Sequence, residues 1–392
     1  MAIKPFLFLA APAIHFGAHH AEQLGRIVSG YGSKALLVRG KKSLARSGAY
    51  AAIAADLRDS RIEFYEWEIS GEPSPPDIDR AVAESAGRDI CVVVSVGGGS
   101  VIDAGKAISA MLPLGGPVAD YLEDVGAKIH PGVKVPFVAV PTTAGTGCEA
   151  TKNAVISSVG PQGFKKSLRH DNFMPDVAIV DPLLALSCPP AVTAACGLDA
   201  LSQLLESYVS VKASILTDML AASGLERIKD SLVPACTSAA SDVNIRANLA
   251  YGALMSGITL ANAGLGVVHG FASSIGGMFN VPHGVVCGAL LAPAMRRTME
   301  KLARAEGALP HLVKFAHAGE ILCGKRGNSA EETCDMLVEK IEEYTRILKI
   351  PRLGSFGITE ESIGAIVDKT DNKNNPVKLD KDDLREILKE SL

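Results

Sequence analysis

Three residues set in otherwise apolar text carry the sharpest chemical signal in this chain: Asp199 in GLDALSQLLESYVS, His269 in AGLGVVHGFASSIGG and His283 in NVPHGVVCGALL. A single histidine in such text is usually a satisfied core residue. Two histidines together with an aspartate are harder to explain by packing, because a buried carboxylate without a cation is costly. A divalent metal removes that cost, and carboxylate plus neutral imidazole suits Fe2+ or, alternatively, Zn2+. Gln203 stands four residues after Asp199 and so shares its helix face. The candidate metal set is Asp199, Gln203, His269 and His283, of which Asp199, His269 and His283 are the candidate catalytic residues.

Two small-residue loops supply a second chemistry. GGGSVIDAGK at 97–106 follows the apolar run CVVVSV and leads into a helical pattern. Residues without side chains let a backbone approach a pyrophosphate, and the following helix start offers unpaired N–H groups and a positive dipole end. Gly98, Gly99 and Ser100 are the candidate phosphate contacts, although the spacing is not GxGxxG and a plain tight turn is the bland alternative. Asp103 and Lys106, three apart, read either as a surface ion pair or as groups that shape the site. PTTAGTGCEAT at 141–151 follows the strand-like VPFVAV and offers the Thr142, Thr143 and Thr146 hydroxyls. Two such loops at strand ends converge on one crevice in an open parallel sheet, which favours a dinucleotide. Cys148 has no cationic neighbour in sequence and reads as a space-filler.

The elements that hold these groups follow from length and pattern. With 392 residues, 47% apolar and 21% charged, the chain can bury a sizeable core and is expected to divide in two. Apolar runs such as KALLVRG, IEFYEWEI and CVVVSV alternate with helical segments in the first half, the rhythm of parallel strands with crossover helices. After PDVAIVDP the text is helical to the end. The expected organisation is an α/β nucleotide-binding domain over 1–182 and an all-α metal-binding and substrate domain over 183–392. PFLFLAAPAI near the start, interrupted by Pro5 and Pro12, reads as a first strand rather than a signal-peptide core.

Composition also excludes. A net charge of -4 with mixed signs provides no basic field for nucleic acid. No run of about 18 apolar residues marks a membrane span. Eight cysteines without a CxxC pair suit reduced thiols and a cytoplasmic protein.

Taken together, GGGSVIDAGKA, PTTAGTGCEAT, MPDVAIVDP, GLDAL, VPHGV and the closing NPVKLDKDDLREIL resemble the iron-containing (group III) alcohol dehydrogenase family over essentially the whole chain. The resemblance implies the dehydroquinate synthase-like two-domain architecture, with a divalent metal in the cleft. It places metal ligands at Asp199, His269 and His283, and nucleotide contacts at Gly99, Ser100, Thr142, Thr143 and Lys165. It also implies a homodimer or larger homo-oligomer.

Three positions depart from the family pattern. Gln203 and Ser273 stand where histidines are usual, so the metal is bound through a weaker neutral donor or through three ligands and water, and proton delivery passes to water, ribose hydroxyls or another side chain. Many NAD-preferring relatives carry an aspartate after the second strand, where this chain has Gly40 flanked by Arg39, Lys41 and Lys42. The cofactor is therefore expected to be NAD(P), with NADP accepted and a preference for it a further expectation. The expected reaction is hydride transfer between nicotinamide C4 and the carbinol carbon of a small alcohol, the metal acting as Lewis acid on its oxygen, or reduction of the aldehyde or ketone in reverse. Two rivals are a metal-dependent lyase or cyclase like dehydroquinate synthase, and a metal-independent nucleotide-binding reductase. The first is disfavoured by the near absence of charge in the helical segments around His269 and His283.

Overall fold

The computed structural model describes residues 5–41, 44 and 48–392. Eight strands occur among them: β1 (Ala13–Phe16), β2 (Lys34–Gly40), β3 (Glu63–Ile69), β4 (Val92–Gly97), β5 (Phe137–Pro141), β6 (Asn153–Ser158), β7 (Phe164–Arg169) and β8 (Val177–Val180). Six of them form one parallel sheet in the order β1-β8-β5-β4-β2-β3. Both faces are covered, which explains the near-continuous apolar runs. Val92, Val94 and Val96 of β4 pack with helices α1 (Leu24–Ser29) and α2 (Ala49–Asp59), whereas Val93 meets α3 (Pro75–Ser85) and α4 (Gly99–Met111). Strand order reverses between β2 and β4, and a crevice at such a reversal is where open α/β sheets take ligands.

The first strand is shorter and later than PFLFLAAPAI suggests. Residues 5–12 are irregular, and pairing with β8 begins only at Ala13, whose N–H reaches the Asp176 carbonyl at 3.1 Å. Pro12 has no N–H to give a ladder, so the strand starts after it. The preceding segment instead crosses to the helical half, where the Leu9 N–H donates to Asn262 and Phe8 packs on the core. Lys4 lies outside the described residues.

A second difference is the antiparallel hairpin β6–β7, which pairs Asn153 with Arg169 and Ser158 with Phe164 outside the main sheet. Its strands are short and polar on one side, so they read as loop between the stronger strands VPFVAV and VAIV.

After β8 ends at Val180 the described elements are helical. These are α5 (Pro190–Val209), α6 (Ile215–Cys236), α7 (Val243–Ala263), α8 (Val267–Met278), α9 (His283–Leu302), α10 (Leu309–Cys323), α11 (Ala330–Ile347), α12 (Glu360–Lys369) and α13 (Lys381–Ser391). The core of this half centres on α5, which is buried over almost its full length. Among the described residues no single helix is long and apolar enough to cross a membrane. Only α7 and α8 together meet that length and composition, bent by 97°, and both are built into the core.

One close approach joins the halves. A Cβ on Gly257 of α7 would lie 2.2 Å from the Gly147 carbonyl oxygen, and Gly147 has φ +60°. The loop after β5 therefore rests backbone-to-backbone on the helical half, and only glycine at both places permits it.

Candidate active site

The two small-residue loops meet as their positions after β4 and β5 require. The Thr142 N–H donates to the Gly97 carbonyl at 2.9 Å, tying the loop stems together. Gly98 caps α4, and a Cβ on Gly99 would stand 2.7 Å from both Cγ2 and Oγ1 of Thr146. The first turn of α4 thus presents backbone rather than side chains, with N–H groups that no helical carbonyl can satisfy. Gly98, Gly99, Ser100, Asp103, Thr143, Thr146 and Lys165 line a cavity of about 700 Å³, a size in the usual range for a cofactor site. Thr142 and Gly40 stand outside that lining.

Asp103 and Lys106 are not a surface pair. Both are buried, and Lys106 Nζ donates to the Cys148 carbonyl (2.8 Å), the Thr151 carbonyl (2.7 Å) and hydroxyl (2.9 Å), and the Asn153 carbonyl (2.9 Å). It pins the second loop to α4. Asp103 Oδ1 has no protein partner, and burial pushes this carboxyl up to about 6 despite nearby Lys106. Cys148 is buried beside them, and burial holds its thiol well above the ordinary value, as a space-filler requires.

The same cavity borders Asp199, Gln203, His269 and His283. Asp199 sits mid-way along α5, and His269 near the start of α8 reaches Asp199 Oδ1 at 3.2 Å through Nε2. His283 opens α9 with its Nε2 3.6 Å from the same oxygen. Gln203 faces the cluster through nitrogen: Nε2 donates to Asp199 Oδ1 (3.1 Å), and Oε1 accepts from the Ser256 hydroxyl (2.7 Å). A carboxylate only accepts, so the reverse amide orientation would place oxygen against oxygen.

Two residues of this centre were not legible in the sequence. Cys287 Sγ lies 3.7 Å from both His269 Nε2 and His283 Nε2, and Asp199, His269, His283 and Cys287 offer ligand atoms within 4.8 Å of one another. Glu206 places Oε2 2.6 Å from His269 Nδ1. The available signal was spacing alone: Cys287 follows His283 by one helical turn, and Glu206 follows Asp199 by two.

The electrostatics of the cluster are divided. Burial pushes His269 down, but Cys287, Glu206 and Asp199 outweigh it and hold the imidazole well above its ordinary value. Burial dominates at His283 and lowers it to about 4. Burial raises Asp199, yet the two imidazoles more than reverse that, leaving it below the ordinary carboxylate value. A compact set of two nitrogens, a carboxylate oxygen and sulfur, almost wholly buried, fits a divalent cation such as iron or zinc.

Charge near the cluster comes from elsewhere in the chain. The helices bearing His269 and His283 bring almost none, but the cavity receives Lys152, Lys165, Arg169 and Lys373 from the β6–β7 hairpin and the segment after α12. Lys165 Nζ pairs with Glu72 at 3.0 Å. Ser273 also lines the cavity, its hydroxyl donating to the His269 carbonyl at 2.9 Å. At the end of β2, Arg39 is committed to Glu66 (2.7 Å) and Glu68 (2.8 Å) and stacks over Tyr50, so it is not the available cation its position suggests. Lys42 lies outside the described residues.

Known proteins share this sequence pattern and this fold. The family model for iron-containing alcohol dehydrogenase matches residues 11–182, and that for the C-terminal part of the Fe-containing alcohol dehydrogenase family matches 193–392. The chain is 33% identical to long-chain-alcohol dehydrogenase 1 of Geobacillus thermodenitrificans, covering 91% of this chain and 87% of that one. It is 30% identical to the NADPH-dependent butanol dehydrogenase of Clostridium saccharobutylicum, covering 96% and 95%. Among solved structures, a 1,3-propanediol oxidoreductase superposes with a TM-score of 0.88 at 28% identity, covering 99% of this chain and all of that one.

Proposed function

We propose, from the premise that this chain belongs to the iron-containing alcohol dehydrogenase family, that its cavity joins a nicotinamide nucleotide to a divalent cation held by Asp199, His269 and His283. The chain is an NAD(P)-dependent oxidoreductase of CH–OH groups, interconverting an alcohol with its aldehyde or ketone. The observation that carries the site assignment is that the phosphate-type loops and the buried ligand cluster border one cavity.

Each protein group has a task. Backbone N–H groups at Gly99 and Ser100 hold the pyrophosphate, and the Thr143 and Thr146 hydroxyls and Lys165 line its path. A bound Fe2+ or Zn2+ supplies Lewis acidity that makes an alcohol oxygen easier to deprotonate, while the nicotinamide exchanges the hydride. Glu206 fixes the His269 ring. The Gln203 amide steadies Asp199. With Ser273 committed to a backbone carbonyl, proton exchange falls to water and the ribose hydroxyls. The substrate is a small uncharged alcohol or carbonyl compound. NADP is accepted and preferred, because Gly40 places no carboxylate after β2 and Lys41 follows it. All eight cysteines are free thiols, which supports a cytoplasmic location. Exposed Leu7 and the edge strand β1 support a homodimer or larger assembly.

The test is NADPH oxidation with short aldehydes and ketones, using chelator-stripped protein with and without Fe2+ or Zn2+ under anaerobic conditions. Turnover that requires the cation, with NADPH consumed in proportion to product, is expected. Equal turnover without it, or in Asp199→Ala, would move the chemistry to a metal-independent reductase. Product formation without net NADPH loss would favour the lyase type.

A further inference from the structure

In this arrangement Gln203 presents nitrogen rather than oxygen to the cluster, its Nε2 donating to Asp199 and its Oε1 accepting from Ser256. A fourth donor is nevertheless present. We propose that Cys287, as a thiolate, is the fourth protein ligand of the divalent cation, completing the set with Asp199, His269 and His283. The proposal rests on the metal-dependent reading above.

The distances carry it. With metal–sulfur and metal–nitrogen bonds of about 2.3 and 2.05 Å, donors at a tetrahedral angle stand about 3.5 Å apart for sulfur to nitrogen and about 3.4 Å for oxygen to nitrogen. At the right angles of an octahedron the same pairs would approach to about 3.1 and 2.9 Å. Cys287 Sγ is 3.7 Å from both imidazole Nε2 atoms, and Asp199 Oδ1 is 3.2 and 3.6 Å from the same two. Four of the six donor pairs, drawn from three helices, thus already stand near tetrahedral edge lengths, and all four atoms lie within 4.8 Å of one another. The i, i+4 spacing of His283 and Cys287 on α9 presents both to the same point.

Placement adds a second reason. Asp199, His269 and His283 border the cavity but Cys287 does not. It closes the inner side of the cluster, so with four protein donors in place a substrate oxygen would enter from the cavity side as a fifth ligand, the expansion that catalytic zinc sites can reach. Coordination releases the thiol proton to solvent and leaves a thiolate, a ligand that zinc and iron both accept. Carboxylate and thiolate then balance the two positive charges of the cation within a buried site.

The experiment is titration of chelator-stripped protein with Co2+ under anaerobic conditions, read by absorption and by bound metal per chain. The wild-type protein is expected to take one cobalt and to show a near-ultraviolet thiolate-to-cobalt charge-transfer band. Cys287→Ser and Cys287→Ala should both lose the band and weaken binding by more than the roughly 10–100-fold that loss of an outer-shell partner costs. Gln203→Ala should keep the band, and circular dichroism of each variant reports that the fold is retained. One cobalt bound without the band, or a band that survives both Cys287 substitutions, overturns the ligand assignment while the metal reading stands. A wild-type protein that binds no cobalt overturns both.

Discussion

Glu206 holds His269 at two points: Oε2 lies 2.6 Å from the ring nitrogen Nδ1, and Oε1 accepts the Val268 N–H at 2.6 Å. One carboxylate thus fixes both the imidazole and the backbone that carries it. With the Nδ1 proton directed at Glu206, Nε2 is the ring nitrogen that faces Asp199 and the cluster, and on giving up its proton it is left in the tautomer that a metal ligand needs.

Replacing Glu206 by Gln sets an amide against this arrangement. Its oxygen can still accept from Nδ1, but its NH2 then meets the Val268 N–H, donor against donor. Metal affinity is expected to fall roughly 10–100-fold, measured by chelator competition. Affinity equal to wild type would mean that Glu206 supports only the fold.

Lys106 offers a prediction about the other end of the cavity. Its ammonium satisfies three carbonyls and a hydroxyl, with no carboxylate within ion-pair distance among the described residues. Burial lowers its pKa, yet four acceptors hold the proton in place. Lys106→Met removes the donor these groups share, leaving the Cys148 and Asn153 carbonyls only long contacts from Thr151, and should cost on the order of 3–5 kcal/mol in urea unfolding, with a raised KM for the nucleotide as the loop loosens. A loss under about 1 kcal/mol would show that water replaces the ammonium freely.

These residues also show what the chain revealed and what it concealed. Asp199 and the two histidines were legible because polar groups in apolar text need a reason. Cys287 was not, since cysteine is at home in a core and apolar text absorbs it. Glu206 looked like one more residue of a long helix until the fold brought α8 against α5. Arg39 misled in the opposite direction: as sequence it is a free cation after a strand, but its partners lie on β3 and only the parallel pairing of β2 with β3 brings them near. The β6–β7 hairpin was missed for a related reason, because its pairing is local and its composition is that of a loop.

Asp103 should impose a pH dependence on stability. Its native pKa of about 6 exceeds the ordinary 3.8, so between those values the folded chain keeps a proton that the unfolded chain has lost. Stability contributed by that proton is present below about pH 4 and is lost as pH rises to about 6, about 3 kcal/mol in all. Asp103→Asn should reduce the slope of urea-derived stability across that window. Glu149, which burial pushes from 4.5 up to about 7, should still give a slope from about pH 4.5 to about 7 in the variant. An unchanged slope between pH 4 and 6 would place the Asp103 titration elsewhere.

The proposed NADP preference rests on an absent side chain. Gly40 ends β2, and the next N–H, from Lys41, donates to the Ile69 carbonyl at 3.1 Å, which fixes where a side chain at position 40 would begin. Because Arg39 is already neutralised by Glu66 and Glu68, a preference for NADP must come chiefly from the missing carboxylate rather than from Arg39. Gly40→Asp restores that carboxylate. Two like charges about 4 Å apart near a protein surface repel by up to ~4 kcal/mol. A fall of at least ~10-fold in kcat/KM with NADPH, equivalent to about 1.4 kcal/mol, is therefore a conservative expectation. Efficiency with NADH should hold or rise, since the same carboxylate can accept from the ribose hydroxyls. A wild-type protein at least as efficient with NADH as with NADPH would remove the preference. Parallel losses with both nucleotides in Gly40→Asp would mean that the substitution disturbs β2 rather than reading the 2′-phosphate.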